Sequence, residues 1–493
     1  MRLSEGRSPE DRQRLAMQSA VQYADLTLEQ LWIRFFALGG DADLLDVEAH
    51  LTGLLALPTG QQDLLAHAVN ERLGEILVRH RVPYSRPFRQ PIPTTGPLAA
   101  LGLLLSGVGS VPPERLPDLA AEAGAAMDVE LTMHLIDHEQ RRLVRLPAGQ
   151  AGKPPSAGSG ARSAVDTTMP GRAFRSLQIV SSNKEGHPRL WVPILDGADR
   201  LGVLEVSLRS PTELYDPSLR QQCVWLASLL GHLIVSMGPY GDLLERPRRN
   251  RPLSPSAELI WQQLPPLTCA TAAFQLAGML EPAYEVGGDA FDYALSEDTV
   301  AMAIFDAVGH GISAGLMSAA ALAAYRSARR DARGVFDQSR AIDDVVSTSF
   351  AGSAFVTGIL AELDVRSGRL RYINAGHPPP LLLRQGKVVK ELTGGRRVPF
   401  GLETNGLVVG EEPLQPGDWL VLYTDGITEA RDAAGVWFGE ERLMELLTRA
   451  IAAGQPPPET VRRLTKSVLE HQGGLLQDDA SVLLACWTSD RSN

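Results

Sequence analysis

Four segments in the second half of the chain place a carboxylate where an apolar strand ends or a glycine turn begins. They are Val286-Gly287-Gly288-Asp289, the run TVAMAIF ending in Asp306 before AVGHG, the run DWLVLYT ending in Asp425-Gly426, and Asp478-Asp479 ahead of ASVLLACW. Strand ends converge at one edge of a sheet, so these carboxylates are expected to gather. Without matching Lys or Arg they would repel one another and lose hydration, a cost that side-chain packing cannot offset, so a cation must be supplied. Oxygen donors without Cys, and with few His nearby, suit hard divalent ions, Mg²⁺ or Mn²⁺, rather than Zn²⁺ or Cu²⁺. Two such ions about 3.5 to 4 Å apart activate a bridging water and clamp the attacking and leaving oxygens of a phosphoryl centre, which makes phosphate hydrolysis the implied chemistry. Gly287 and Gly288 let the backbone approach a ligand closely, and Gly309 and Gly311 free the turn into the helix ISAGLMSAAALAAYRSARR.

The elements that must position these residues belong to a chain of 493 residues, long enough for several domains in series. A composition 44% hydrophobic and 21% charged excludes a mainly disordered, collagen-like or coiled-coil chain. The net charge of −11 argues against a general nucleic-acid or anionic-membrane binder. Cys223, Cys269 and Cys486 are far apart and lack a C-x-x-C partner, so neither a disulfide framework nor a zinc knuckle is available, and a reducing cytoplasm fits. The start MRLSEGRSPEDRQR has no apolar signal region. The longest apolar stretches, Leu226 to Met237 and Gly96 to Gly109, fall short of the roughly 18 residues of a spanning helix. A soluble cytoplasmic protein without membrane insertion is therefore expected.

Punctuation divides the chain. Residues 1–85 read as a helical module, with Leu28, Leu31, Trp32, Phe35 and Leu38 at helical spacing before Gly39 and Gly40, and a second run through Leu64, Leu65, Val69, Leu73 and Ile76. The aromatic cluster Trp32, Phe35, Phe36 is read as core rather than as a partner-binding stripe. Residues 96–240 read as a helix, the strand LTMHLID, the low-complexity loop GQAGKPPSAGSGARS, paired strands around the turn Asp196 to Asp199, and a closing helix from Pro217 to Met237. That order, with the hairpin VPILDGADRLGVLEV, resembles GAF domains, which implies a sensor of an unknown small molecule or signal. His134, His138 and His187 show no metal-ligand spacing. Residues 241–264 form a linker and connecting helix. Arg246, Arg248, Arg249 and Arg251 among its prolines read as a solvated stretch, and Ser254 with Pro255 caps the helix that follows.

Residues 265–490 carry the chemistry. VGGDAFD, FDAVGHG, the hairpin LDVRSGRLRYINAGHPPPLLL, VPFGL, LQPGDWLVLYTDGITEARD and QDDASVLL, in that order, resemble the SpoIIE-like bacterial branch of the PPM (protein phosphatase 2C-like) metal-dependent serine/threonine phosphatases. The resemblance implies a multidomain α+β chain ending in an α/β sandwich of two antiparallel sheets between helical layers, with two Mn²⁺ or Mg²⁺ ions. By position, Asp306 matches the family's bridging metal ligand, Ala307 the residue that offers a backbone carbonyl, and Asp425 and Asp478 the remaining direct ligands. Asp289 matches the acidic residue that holds water at the site. Gly288, His310 and Gly311 are expected to shape turns, Asp479 has a less defined role, and His377 is read as loop scaffold in preference to general acid. One departure is that eukaryotic relatives carry a phosphate-binding Arg shortly before the first acidic motif, whereas LEPAYEVGGD has no basic residue. Phosphate capture would then rest on the metals, and specificity on docking surfaces. The implied substrate is a phosphorylated anti-anti-sigma (STAS) protein in partner switching, with a homodimer a further conceivable assembly. Two other readings share the sequence: a silent phosphatase-fold docking protein, disfavoured by the intact acidic set, and a small-molecule phosphate hydrolase.

Overall fold

The computed structural model describes residues 9–76, 93–149, 162–281, 284–285, 287–350, 354–402, 406–474, 476 and 478–488. The chain divides into two compact units, Met1–Thr94 and Thr95–Asn493.

The first unit contains α1 (Pro9–Tyr23), α2 (Leu28–Ala37), α3 (Leu44–Thr52) and α4 (Thr59–Ile76). Thr27 and Gln30 close a reciprocal capping box on α2, and the Asp43 side chain caps α3, so polar residues satisfy the amides that helix starts leave open. Met17, Leu31, Phe35, Val47, Leu65 and Val69 form its core. The expectation for the aromatic cluster divides: Phe35 is buried, Trp32 is half-buried with Nε1 donating to the Ala42 carbonyl at 3.0 Å, and Phe36 is 61% exposed. The proline-rich boundary lies largely outside the described residues.

The second unit begins with α5 (Pro97–Val108), α6 (Leu116–Ala126), β1 (Glu130–Ile136), β2 (Arg142–Leu146), β3 (Arg162–Ala164), α7 (Met169–Ser176), β4 (Val180–Lys184), β5 (His187–Asp196), β6 (Asp199–Ser207) and α8 (Pro217–Met237). Their strands form an antiparallel sheet ordered β3-β2-β1-β6-β5-β4, and the β5–β6 hairpin turns where expected, with Asp196 opposite Asp199. Most of the low-complexity loop lies outside the described residues. With the turn after it, α8 gives a 24-residue helix, Pro217–Tyr240, long and apolar enough by length and composition to cross a membrane, which corrects the shorter span expected. One face of it, including Leu226, Leu230, Leu233 and Ile234, packs into the core shared with the sheet. A Cβ at Gly231 would stand 2.1 Å from the Leu195 carbonyl oxygen, so helix and sheet approach as only glycine permits.

The arginine-rich linker is a stitched seam rather than a solvated stretch. Arg249 binds both carboxylate oxygens of Glu258 (2.5 and 3.2 Å) and one of Glu245 (3.1 Å), and Arg248 Nε donates to the Ile136 carbonyl. His138 meets Glu245 at 2.5 Å, and Asn250 donates to Asp137 and Glu139. The carboxylates opposed to Arg249 lie four and nine residues from it, whereas the Ile136 carbonyl, His138 against Glu245, and Asp137 and Glu139 against Asn250 come from more than a hundred residues away.

The remaining elements are α9 (Pro255–Trp261), β7 (Thr268–Ala270), β8 (Phe274–Glu281), β9 (Asp289–Leu295), β10 (Thr299–Ala307), α10 (Gly311–Arg330), α11 (Val335–Ser349), β11 (Val356–Asp364) and β12 (Arg369–Ala375). They continue with β13 (Leu381–Arg384), β14 (Lys387–Glu391), β15 (Arg396–Arg397), β16 (Gly410–Pro413), β17 (Trp419–Tyr423), α12 (Asp425–Thr428), α13 (Gly439–Ala452), α14 (Pro457–His471) and β18 (Ala480–Trp487). One sheet runs β15-β12-β11-β10-β9 with β16 beside β12, and the other β14-β13-β17-β18-β8-β7. Alternate residues of both sheets, among them Phe274, Phe291, Ile304, Ile359, Leu422 and Leu483, meet in the core between them. The opposite faces pack on helices: Phe305 and Leu360 under α10 and α11, and Val421 and Leu484 under α13 and α14.

A second seam joins the two halves of this unit. Asp166 accepts from Arg462 and Lys466 of α14 (2.7 and 2.6 Å), and buried Arg200 donates to the Pro458 carbonyl at 3.0 Å while lying 4.7 Å over the Phe174 ring.

Candidate active site

The antiparallel β9–β10 ladder sets Asp289 opposite Asp306, and β11 puts Thr357 on the other flank of Asp306. β10 ends there. Gly309 (φ +97°) and Gly311 (φ +71°) turn the chain into α10, with exposed His310 between them at its N-cap, its side chain making no capping bond. A Cβ at Gly288 would lie 2.5 Å from the Ala307 carbonyl oxygen, so this glycine lets the two loops touch. Ser318 Oγ of α10 donates to the Gly288 carbonyl.

β17 and β18 bring the other acidic pair. Asp425 opens α12 directly after β17, and a Cβ at Gly426 would fall 1.8 Å from the Asp479 carbonyl oxygen. The Asp479 carboxylate reaches back to the first motif, accepting from the amides of Gly287 (2.7 Å), Gly288 (2.6 Å) and Asp289 (3.4 Å). Asp289 is 1% exposed; its Oδ2 accepts from Thr424 Oγ1 at 2.8 Å, and its Oδ1 has no hydrogen-bond partner. Asp425 and Asp478 are exposed. Val286 and Gln477 lie outside the described residues.

These carboxyls act on one another. Burial, then the charges of Asp306 and Asp479, push Asp289 well up; burial, then Asp425, Asp478 and Asp479, push Asp306 to about 7. Burial, then Glu429 and Asp478, raise Asp425, and burial raises Asp479 against its amide hydrogen bonds. Among the described residues none of Asp289, Asp306, Asp425, Asp478 and Asp479 forms an ion pair with Lys, Arg or His. Among the described residues no three His, Cys, Asp or Glu side chains already stand as a set able to hold a metal. The donor chemistry fits a hard cation: acidic oxygens at one sheet edge, one of them buried and unpartnered, without a counter-charge.

A carboxyl raised on folding stabilises the protein below the ordinary aspartate range and loses that contribution as pH climbs through its folded value. For Asp306 that window runs from the usual aspartate value to about 7. Chelator-treated protein should therefore melt at falling temperatures between about pH 4 and 7, and saturating Mn²⁺ should flatten the slope. Differential scanning calorimetry at stepped pH measures this, and an equal slope with and without Mn²⁺ would count against a cation at Asp306.

His377 is buried, with Nδ1 2.8 Å from Thr357 Oγ1 and its amide donating to Asn374 Oδ1 at 2.8 Å. Burial pushes the imidazole down to about 3, leaving it uncharged at neutral pH, which suits a scaffold and not a proton donor. Two contributors went unread in the sequence. Thr424 stands one residue before Asp425 and was legible only as part of the strand end, and Ser318 looks like any small residue of a helix.

Residues 296–488 match the model of the SpoIIE family, stage II sporulation protein E. The chain is 25% identical to Protein IcfG of Synechocystis sp. over 242 residues, 43% of this chain and 38% of that protein. It is also 25% identical over 222 residues to the phosphoserine phosphatase RsbU of Bacillus subtilis, 43% of this chain and 63% of RsbU. The chain thus spans less than two thirds of the length of these relatives. Among solved structures, the SiaA-PP2C domain of Pseudomonas aeruginosa aligns with a TM-score of 0.40 and 24% identity, covering 48% of this chain and 94% of that domain. Similar domains have been solved with magnesium and with two manganese ions. Residues 296–488 thus match the SpoIIE family model, and over this part the chain is similar to PPM-type serine/threonine phosphatases.

Proposed function

We propose that the chain is a metal-dependent protein-serine/threonine phosphatase acting on a phosphorylated STAS-type regulator in partner switching, in the cytoplasm, under the control of a GAF-like sensor. The observation that carries the reading is the uncompensated set of aspartates at one sheet edge, with Asp289 buried and half unpartnered. Asp306, Asp425 and Asp478, with the Ala307 carbonyl, would hold two Mn²⁺ or Mg²⁺ ions. Bound there, the ions supply Lewis-acid activation of water and of the phosphoryl group. The chain's own residues position this chemistry. Asp479 fixes the Gly287–Asp289 loop, Thr424 holds one oxygen of Asp289 so that the other faces the site, and His377 braces the strand end beside Asp306. Release of phosphate from a phosphoserine protein on addition of Mn²⁺ tests the reading. Nucleotides assayed in parallel separate it from small-molecule hydrolysis.

Two seams support control by the sensor. A Cβ at Gly315 of α10 would lie 3.1 Å from the Ser256 side chain of α9 and 3.3 Å from the Gly287 carbonyl oxygen, so the connecting helix, α10 and the first acidic loop are in contact. The Ser254 amide also donates to the Tyr284 carbonyl at 2.8 Å. A cavity of about 480 Å³, lined in part by His138, Arg200, Ile234, Trp261 and Leu264, lies where sensor, linker and α9 meet. Cutting both seams, with Asp166→Asn and Arg249→Ala together, should change the phosphatase rate at fixed Mn²⁺ by about 2- to 30-fold, the range of ordinary coupling energies. An unchanged rate in the folded double variant would refute this control.

A further inference from the structure

No basic residue precedes the first acidic motif, yet a cation does line the acidic cleft. A cavity of about 170 Å³ is bounded by Asp425, Glu429, Asp478, Gln472 and Arg431. The Arg431 side chain is exposed and makes no ion pair with any carboxylate among the described residues, although three of them border the same space. Its guanidinium sits 5.4 Å over the ring of Trp437, to which Arg431 is also joined by an antiparallel backbone bridge.

The loop between them is built to stay in place. Asp432 Oδ1 accepts from the amides of Ala434 and Val436, both at 2.9 Å, and the Phe438 amide donates to the Ala430 carbonyl at 2.7 Å. Phe438 is buried, and His471 at the end of α14 meets the Val436 carbonyl at 2.9 Å. This braced hairpin nevertheless leaves Val436 58% and Trp437 53% exposed. A guanidinium held over an indole presents its planar fork of donors already ordered, which suits phosphate oxygens, and Trp and Arg are both enriched among the residues that anchor protein interfaces.

We propose that Arg431 captures the phosphoryl group of the protein substrate, and that Trp437 and Val436 cover apolar residues beside the phosphorylated side chain. This rests on the phosphatase reading above and names how that site recognises its substrate. It replaces capture by metals alone with capture by a cation that lines the same cavity as Asp425 and Asp478.

The test uses the full chain with Mn²⁺ and the variants Arg431→Ala, Arg431→Lys and Trp437→Ala, with Arg449→Ala on α13 as the control. KM and kcat are measured on p-nitrophenyl phosphate and on phosphorylated casein, with inorganic phosphate as competing inhibitor and Mn²⁺ affinity read by calorimetry. Arg431→Ala should raise the phosphate inhibition constant and the KM for phosphocasein by about tenfold or more, the weight of a charge-assisted bidentate contact, with Mn²⁺ affinity within about twofold of wild type. Arg431→Lys should recover part of that loss, and Trp437→Ala should raise KM more for phosphocasein than for p-nitrophenyl phosphate. Unchanged constants in Arg431→Ala would overturn the proposal, as would a parallel fall in Mn²⁺ affinity. If wild type hydrolyses neither substrate, the phosphatase reading fails on its own. Binding of inorganic phosphate to the Mn²⁺-loaded chain then decides this proposal separately, and equal affinity in wild type and Arg431→Ala would end it.

Discussion

Asp306→Ala and Asp425→Ala should each abolish divalent-dependent phosphate release, with kcat/KM down by at least about a thousandfold, because the ions supply both the activated water and the charge stabilisation of the reaction. Asp306 lies at the end of β10 opposite Asp289, and Asp425 follows β17 after Thr424, so neither can be replaced by a neighbour without moving a strand. Loss of fold is not the expected cause. The Asp306 carboxyl is held at about 7 by burial and by its acidic neighbours, so alanine removes a strained charge, and the metal-free variant should melt at or above the wild-type temperature at pH 8. A variant that melts normally, retains its near-ultraviolet dichroism and binds no Mn²⁺ is the predicted outcome. Full activity in either folded variant contradicts the assignment.

The second large effect is expected at Asp479, and there the two substitutions separate. Asp479 Oδ2 receives the amides of Gly287 and Gly288 at 2.7 and 2.6 Å and, more weakly, that of Asp289. Alanine leaves these donors unpaired at about 1 to 3 kcal/mol each, enough for the loop to relax and for Asp289 to leave Thr424. Mn²⁺ affinity should fall by about 10- to 100-fold, the usual consequence of losing a residue that orients metal ligands, and activity should fall with it. Asparagine keeps an acceptor oxygen and should retain most of both. Calorimetric Mn²⁺ titration of the two variants checks this, and equal behaviour of Asn and Ala would show that the charge, not the loop contact, is what matters.

The parts of this architecture legible in sequence are those that local chemistry controls. The apolar run from Pro217 to Met237 marked α8, and Ser254 before Pro255 marked the start of α9. Apolar strands stopping at Asp306 and Asp425 were visible because a carboxylate cannot continue a buried run without compensation. What stayed hidden depends on pairing across the chain. Asp166 meets Lys466 from 300 residues away and Arg200 meets Pro458 from 258, so the charge pattern of neither segment announces the seam. The linker arginines read as solvated because the Ile136 carbonyl that Arg248 meets is 112 residues away, and because Glu245 and Glu258, although near in sequence, are folded round Arg249 only by the tertiary structure. Phe36 shows the converse limit, since helical spacing alone could not tell which side of α2 carries Phe35 into the core. Asp479 and Asp478 are adjacent in sequence, but only the structure separates one that grips the Gly287–Asp289 amides from one exposed at the cleft.

The central claim is that the gathered aspartates form a divalent-metal site, and titration of the chelator-stripped full chain with Mn²⁺ by isothermal calorimetry tests it most directly. The account predicts saturable binding of two ions in wild type, and loss of that binding in Asp306→Ala at unchanged fold. Absence of binding in folded wild-type protein, or an identical isotherm in Asp306→Ala, would contradict it.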